Sequence, residues 1–379
     1  MPWTVDWRVR VDGTDVSARM RPYLTDIEVE DRDGMTSDTC SLTIDDADGA
    51  VRLPREGARV SVDLQGGEVF RGVVDSVRSN GGRGQGRLLK IGAKGFDSRG
   101  KAKEPLNFHR DDATLREFLG EAARQAGLSG IVVDPTLADI IRDYWSAEAE
   151  SFIHLGQKLA REFFGTFKIR DDIAVLTKRG GANSLAAVHG SWGVNLISWD
   201  IAPITGRRMF TKSQVVWFDR KNAKFETEEV SFDLPRDLPD AVNLVRSRAH
   251  DRDQAQGIGE ARKREAEREG GEGTVEIDLA VDAKAEGIFV LSGTRAGVDG
   301  AYRIVSVKHR ASRASGSTTQ LELKQPHGGA GADTRSGNGS AGQPGNVATA
   351  AAGNSPGGGA AGGTGVTLPP RGGGLTDAN

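Results

Sequence analysis

The sequence predicts a mainly β protein: two antiparallel β-barrels of one design, a small α+β insert between them and a Gly-rich C-terminal tail. Three observations carry this. The stretches 57–95 and 287–325 are written on one template. Helical periodicity is concentrated in the segment between them. From 327 onward the chain is a tract of Gly, Ala, Ser, Asn and Pro.

The two templates read GARVSVDLQGGEVFRGVVDSVRSNGGRGQGRLLKIGAKG and GIFVLSGTRAGVDGAYRIVSVKHRASRASGSTTQLELKQ. Each opens on a short apolar strand, 60–64 or 288–291, followed by a Gly-rich turn. A second strand follows, GVVDSV at 72–77 or YRIVSV at 302–307. A basic Gly/Ser-rich turn then leads to a third strand, 88–93 or 319–323. Strand-rich units that recur at two ends of a chain predict a duplicated module, which builds a shape more readily than a catalytic site.

Residues 4–11 alternate, with Val5, Trp7, Val9 and Val11 on one face and Asp6, Arg8 and Arg10 on the other, and Asp12-Gly13 supplies a hairpin turn. Further strands are predicted at 24–30, 39–45, 59–64, 69–78 and 87–94. Such a run can close a small barrel, which removes the exposed edges that invite aggregation. The first barrel is assigned to 1–104 and the insert to 105–182. Thr114 and Glu117 form a capping box; Leu115, Phe118, Leu119, Ala122 and Ala126 share one helical face, closed by Gly127. A second helix starts at Ser151, with Phe152, Leu155, Leu159 and Phe163 inward and Gly165 as its stop. The segment TFKIRDDIAVL is a hairpin turning at Asp171-Asp172.

The second barrel is assigned to 183–326, with strands at 194–201, 207–218, 225–233, 274–281, 288–292, 301–309 and 317–324. A polar, solvent-exposed helix is expected at about 243–269, ended by Gly270-Gly271. The tail, 327–379, cannot bury enough apolar surface to offset its ordering entropy and is expected to be extended or disordered. Val366, Leu368 and Pro369-Pro370 are its candidate docking residues.

Composition excludes several classes. The formal charge of −3, with both signs interspersed, argues against strong attraction to nucleic acid or anionic membranes. Cys40, the single cysteine, alternates with Leu42 and Ile44 as a buried small hydrophobe, so no intrachain disulfide forms. No apolar run reaches the ~18 residues of a membrane span, and the N-terminus lacks a signal-peptide core.

Chemistry is hard to find. His109, His154, His189, His250, His309 and His327 are dispersed without metal-motif spacing, so no metal site and no cofactor are expected. His154 lies one residue off its helix's apolar row, and His309 reads as a strand-end rim residue. The Gly-rich loops 80–86 and 292–300 sit between strands and lack G-K-[ST], so they read as turns and not phosphate cradles. Asp45-Asp46 and Asp171-Asp172 are neighbours in turns, whereas a glycosidase needs two carboxylates facing across a cleft. No catalytic residue is assigned, and Glu150, like His154, is expected to be dispensable for any lysis. Tyr144, Trp145 and Trp192 are candidate sugar-stacking platforms whose ordinary role is core or interface.

The order of these elements, with the phrases DDATLREFLGEAARQAGL, SFIHLGQKLAREFFGTFKIRDDIAVLTKRG and VDGAYRIVSVKHRASRASGSTTQLELK, resembles the phage late control protein D family over roughly residues 5–325. These are baseplate hub proteins of contractile tails, similar to the hub part of type VI secretion spike proteins. The most telling pieces are 151–176 and the DG-Y-x-[IV]-x-S-V-x-H phrase at 299–309; the tail after 326 lies outside the pattern. The resemblance implies tube-like barrels and a homotrimer presenting six of them in a ring, matching a hexameric tail tube on one side and a trimeric central spike on the other. It implies a non-enzymatic symmetry adaptor in the virion tail baseplate, made in the host bacterial cytoplasm. Its partners would be itself, the tube, the spike, the tape measure protein and other baseplate or wedge proteins. DNA would be passing cargo during ejection, with no membrane insertion. The alternative readings are a tail-associated cell-wall hydrolase and a peptidoglycan-binding tail protein.

Overall fold

The computed structural model describes residues 3–332 except 35, 85, 98–99, 181–184, 206–209, 220, 233–240 and 250. The fold is mainly β, with antiparallel barrels and a small helical insert. The first barrel comprises strands Trp7–Val11, Thr14–Asp15, Leu24–Arg32, Thr39–Asp45, Arg59–Leu64, Gly67–Gly82 and Gly86–Lys94, with a short helix α1 at Ser17–Met20. Alternation sets their faces: Trp7, Val9, Ile27, Leu42, Val62 and Leu89 are buried in one core that includes Cys40. Each large apolar side chain buried there contributes about 1.5–3 kcal/mol. Asp12 and Gly13 take φ of 47° and 78° and turn Val11 back onto Thr14. A two-residue hairpin requires both central residues to be left-handed, which the Asp-Gly pair allows.

The insert opens on a strand that periodicity does not reveal. Pro105–Thr114 pairs antiparallel with Ile141–Ser151 as a two-stranded ribbon. Helix α2 is Leu115–Gln125, and its capping box is formed: the Thr114 hydroxyl accepts the Glu117 N–H while the Glu117 carboxylate accepts the Thr114 N–H at 2.8 Å. Leu115, Phe118, Leu119, Ala122 and Ala126 are buried, and Gly127 has φ +76°. The strand Gly130–Val133, helix α3 at Pro135–Ala138 and helix α4 at Phe152–Glu162 follow. Ser151 caps α4 by accepting the His154 N–H. The stop of α4 differs from expectation: Phe164, not Gly165, holds the left-handed conformation, with φ 50°. Gly165 starts the strand Gly165–Arg170, where a Cβ would stand 2.8 Å from the Thr177 carbonyl oxygen. That strand turns at Asp171-Asp172 into Ile173–Lys178, as TFKIRDDIAVL predicts.

The second barrel comprises Val188–Ser191, Leu196–Ala202, Glu272–Asp278, Ile288–Ser292, Gly300–Ser312 and Gly316–His327 around Val275, Ile277, Phe289, Tyr302, Ile304 and Leu321. Two expectations for 183–326 need correction. Strands Lys212–Asp219, Lys224–Ser231 and Val242–Ala249 do not belong to the barrel sheet; they form their own three-stranded sheet. Residues 243–249 are therefore strand, and the polar helix α5 is Arg252–Arg268. Nor is α5 mostly solvated: Ala255, Gly259 and Ala261 are buried. A Cβ on Gly259 would stand 2.4 Å from Val230 Cγ2, so the helix lies close to the sheet through small residues. A search for large apolar rows misses that mode of packing.

The two barrels share one hydrogen-bonding plan. Gly67–Gly82 lies between Arg59–Leu64 and Gly86–Lys94, and Gly300–Ser312 lies between Ile288–Ser292 and Gly316–His327. In one, the ladder slips by a residue between Val74 and Ser76, opposite Ala93 and Gly92. In the other, it slips between Ile304 and Ser306, opposite Leu323 and Glu322. A second pair of bulges also coincides, at Leu24/Asp26 against Ile44/Thr43 and at Leu196/Ser198 against Ile277/Glu276. GVVDSV and YRIVSV thus occupy equivalent strands. The copies also diverge: Trp7–Val11 runs antiparallel to Arg59–Leu64, whereas Val188–Ser191 runs parallel to Ile288–Ser292, and further slips fall between Val62 and Asp63 in one and between Ala301 and Arg303 in the other.

The barrels are not separate sheets. All thirteen of their strands form one sheet, because Gly300–Ser312 also pairs with Leu24–Arg32 of the first barrel. The chain stays docked past the predicted start of the tail. Gly331 N–H donates to the Gly297 carbonyl at 2.9 Å, and Ala330 packs on the second core. The tail from 333, with its candidate docking residues, lies outside the described residues.

Candidate assembly interface

The junction between the barrels is the most built surface of the molecule. Ser306–Ser312 lies antiparallel to Asp26–Arg32, in register from Ser306↔Arg32 to Ser312↔Asp26. Its core face is closed: Ile27, Val29, Val307, His309 and Ala311 are all at most 2% exposed. Its other face carries charge pairs, Lys308–Glu28 at 2.9 Å and Arg310–Asp26 at 3.5 Å. These pairs are half exposed and contribute little energy, but they oppose a slip of register.

His309 stands mid-strand and not at a rim. Its Nδ1 lies 3.0 Å from the Thr319 hydroxyl. Burial first, and then the Lys284 ammonium, push its pKa down to about 4, so the ring is neutral at pH 7. The reason for the misplacement is that the strand runs three residues beyond 309, to Ser312.

A buried charge cluster ties the insert and α5 to both barrels. Arg268, 3% exposed, donates to Asp33 at 3.0 Å and to Glu286 at 2.8 Å. Arg179 reaches Asp33 at 3.1 Å. Lys168 bonds Asp31 and, at 2.8 Å, Asp38. Burial alone would lower the lysine's pKa, but its two carboxylates hold it above the ordinary value. For Asp38, burial and the Asp31 charge prevail and raise the carboxyl's pKa. A cleft of about 520 Å³ beside this cluster is lined by Asp31, Lys168, Arg170, Lys284 and Glu286. Asp31 pairs there with Lys168, Arg170 with Asp38 and Glu286 with Arg268, as in a structural clamp. Single residues at element ends, far apart in sequence, leave no pattern by which the cluster could be foreseen.

The other residues singled out by the sequence are scattered. Glu150 accepts from Lys158 at 2.8 Å and lies 3.2 Å from the exposed His154 ring. Asp45 and Asp46 accept the N–H groups of Ala47 and Val51, as turn aspartates do, whereas Asp172 accepts from the hydroxyl of Ser129, distant in sequence. Asp299 accepts three N–H groups, from Gly293, Thr294 and Arg295, and so shapes the 292–300 loop as a turn. In the 80–86 loop, Gly84 and Gly86 take φ of +86° and +73°. His109 stacks on exposed Tyr144 at 5.6 Å between ring centroids. Trp145 is core: its Nε1 donates to the Ala113 carbonyl at 2.8 Å beneath the Arg142 guanidinium. Cys40 is buried, and burial pushes its thiol pKa up. His250 lies outside the described residues, and among the described residues no cluster of His, Cys, Asp or Glu could hold a metal ion. Among them too, no helix is long and apolar enough to cross a membrane.

Trp192, by contrast, belongs to an exposed apolar group. It packs edge-on against Trp199 at 4.9 Å, and Val194, Ile197 and Trp199 are 80%, 48% and 37% exposed. The group lies along Leu196–Ala202, which pairs with Glu272–Asp278 on one side; among the described residues no strand covers its other side.

No protein-family description matches this chain, and no curated protein matches it by sequence. Solved structures do match its fold. The 43 kDa tail protein of prophage MuSo2 from Shewanella oneidensis aligns with a TM-score of 0.64 at 13% identity, over 84% of this chain and 98% of that one. The tail protein of Neisseria meningitidis MC58 aligns with a TM-score of 0.62 at 16% identity, over 84% and 96%. A component of the E. coli type VI secretion system, itself structurally similar to the T4 bacteriophage tail proteins gp27 and gp5, aligns with a TM-score of 0.53 at 9% identity, over 84% and 76%. The fold is that of phage tail proteins and of this secretion-system component.

Proposed function

We propose, starting from a phage-tail fold, that the chain is a structural baseplate hub of a contractile phage-like tail. Three copies form a ring that joins a hexameric tail tube to a trimeric central spike and lets DNA or the tube contents pass. The single observation that carries this reading is the duplicated ladder, with two bulges at equivalent positions in the two barrels. Two equivalent barrels per chain let three chains present six, which adapts sixfold to threefold symmetry. The near-neutral, interspersed charge suits a channel through which DNA moves without adhering. The role is non-enzymatic, the location is the virion tail, and the tape measure and wedge proteins are further neighbours.

Sedimentation of the purified chain at micromolar concentration, with negative-stain images, tests the ring. A trimer with a central channel supports it. A monomer in solution, with no such ring in particles, refutes it. Zymography on purified cell wall tests the non-enzymatic role, since cleavage lost on Glu150→Ala with the fold intact would restore the hydrolase.

A further inference from the structure

We propose that copies of this chain join through one specific β-ladder: Arg78–Gly82 of one copy pairs antiparallel with Ser198–Ala202 of the next. This deepens the ring reading and rests on it.

The argument is a transfer of register inside one chain. By the shared ladders, Ser76 to Gly82 are the counterparts of Ser306 to Ser312. By the second pair of bulges, Ser198 to Ala202 are the counterparts of Asp26 to Glu30. The latter members of each comparison, Ser306–Ser312 and Asp26–Arg32, pair with each other within the chain. The former have no such partner strand among the described residues. What the second barrel's strand does to the first barrel's edge, the first barrel of a neighbouring copy can therefore do to the second barrel's edge.

Burial marks the same two edges as unfinished. Ile27 and Val29 are at most 1% exposed, while their counterparts are Trp199, 37% exposed, and half-buried Ile201. Val307, His309 and Ala311 are buried, while their counterparts Val77, Ser79 and Gly81 are half-buried or exposed. A tryptophan and an isoleucine on an open strand edge form a pairing site that a monomer ordinarily blunts. Charge agrees with the register. Lys308 pairs with Glu28 within the chain, and their counterparts are Arg78 and Asp200.

The transferred register places Arg78 opposite Ala202, Ser79 opposite Ile201, Asn80 opposite Asp200 and Gly81 opposite Trp199. The contact is head to tail: the patch on one copy differs from the patch it meets. Such a contact either closes into a ring or runs on as a filament, and alternating intrachain and interchain joints of one geometry favour closure.

The test is disulfide trapping in the full chain with Cys40→Ala. Two double variants, Arg78→Cys/Ala202→Cys and Ser79→Cys/Ile201→Cys, sample both kinds of antiparallel site, whose Cα atoms are ~4.5 and ~5.5 Å apart. The intrachain counterpart, Glu30→Cys/Lys308→Cys, calibrates the yield within one chain. Under mild copper–phenanthroline oxidation, at least one interchain pair should give a closed trimer on non-reducing gels. The slipped pair Arg78→Cys/Ile201→Cys should give at least tenfold less. Sedimentation separates the ways of failing. A trimer that neither pair traps overturns the ladder and leaves the ring reading standing. A monomer at micromolar concentration with no trapping overturns both. Equal trapping by the slipped pair overturns the register.

Discussion

The two barrels have the same strand plan, yet one is finished within the chain and the other is not. The first has its Leu24–Arg32 edge covered by Gly300–Ser312, and Ile27 and Val29 are buried as a result. The second leaves Leu196–Ala202 open, with Ile197 and Trp199 exposed. Equivalent positions therefore differ in burial because of what lies beside them and not because of local conformation. Apolar exposure at a position whose twin is buried is a stronger sign of an interface than exposure alone, since single exposed apolar residues are ordinary.

The comparison breaks most severely just past the bulges. Deleting Val307 slips His309 and Ala311 by one residue against both neighbours, turning core side chains outward. We expect no cooperative thermal transition by circular dichroism. Deleting Val77, its counterpart, disturbs one ladder only and should lower Tm while a cooperative transition survives. Equal damage would mean that the joint between barrels is not the weight-bearing one.

Arg268→Met removes one of the two guanidinium groups on buried Asp33 and breaks the 2.8 Å pair with Glu286. Breaking such a pair costs about 3–5 kcal/mol, which urea denaturation would read as a lowered midpoint at constant slope. His309 comes next. Its folded pKa, about 4, lies below the ordinary 6.5, so the unfolded chain binds its proton first as pH falls. The associated stability is complete above pH 6.5 and is lost toward pH 4, a difference of about 3 kcal/mol. His309→Gln should flatten stability between those pH values, and an NMR titration midpoint near 6.5 in the folded wild type would contradict the assignment.

Gly190→Ala probes where the copies diverge. A Cβ there would stand 2.3 Å from the Phe289 ring, so the parallel strand Val188–Ser191 needs glycine at that point. Overpacking should cost about 1–3 kcal/mol in thermal or urea unfolding. The smallest effect is expected at Ser79, the exposed twin of His309. Ser79→Ala should change the stability of the isolated chain by less than about 0.5 kcal/mol. A larger loss would place Ser79 in a contact within the chain.

Most of this fold was legible wherever periodicity or turn chemistry is strong. Thr39–Asp45 and Arg59–Leu64 match their predicted limits, and Thr114/Glu117, Asp12-Gly13 and Asp171-Asp172 act as read. Pro105–Thr114 and Ile141–Ser151 were not foreseen, because paired ribbon strands with mostly exposed residues carry no apolar alternation. Residues 243–249 read as the start of a helix because NLVRSRA fits either period over so short a span. The candidate interface was half visible. Trp192 stood out as an aromatic, but its partner Trp199 and the open edge follow only from the topology.

The strand shared by the barrels also sets a schedule for the growing chain. Leu24–Arg32 is synthesised early, and its partner Ser306–Ser312 leaves the ribosome more than 270 residues later. At ~5–20 residues per second the early strand waits roughly 14–55 s with one side unpaired. Its sequence, LTDIEVEDR, sets Asp26, Glu28 and Glu30 along that waiting edge. Acidic side chains repel the same edge on a neighbouring nascent chain and attract Lys308 and Arg310 when these arrive. The residues that later hold the joint in register thus serve first as a guard against premature association between chains on one polysome.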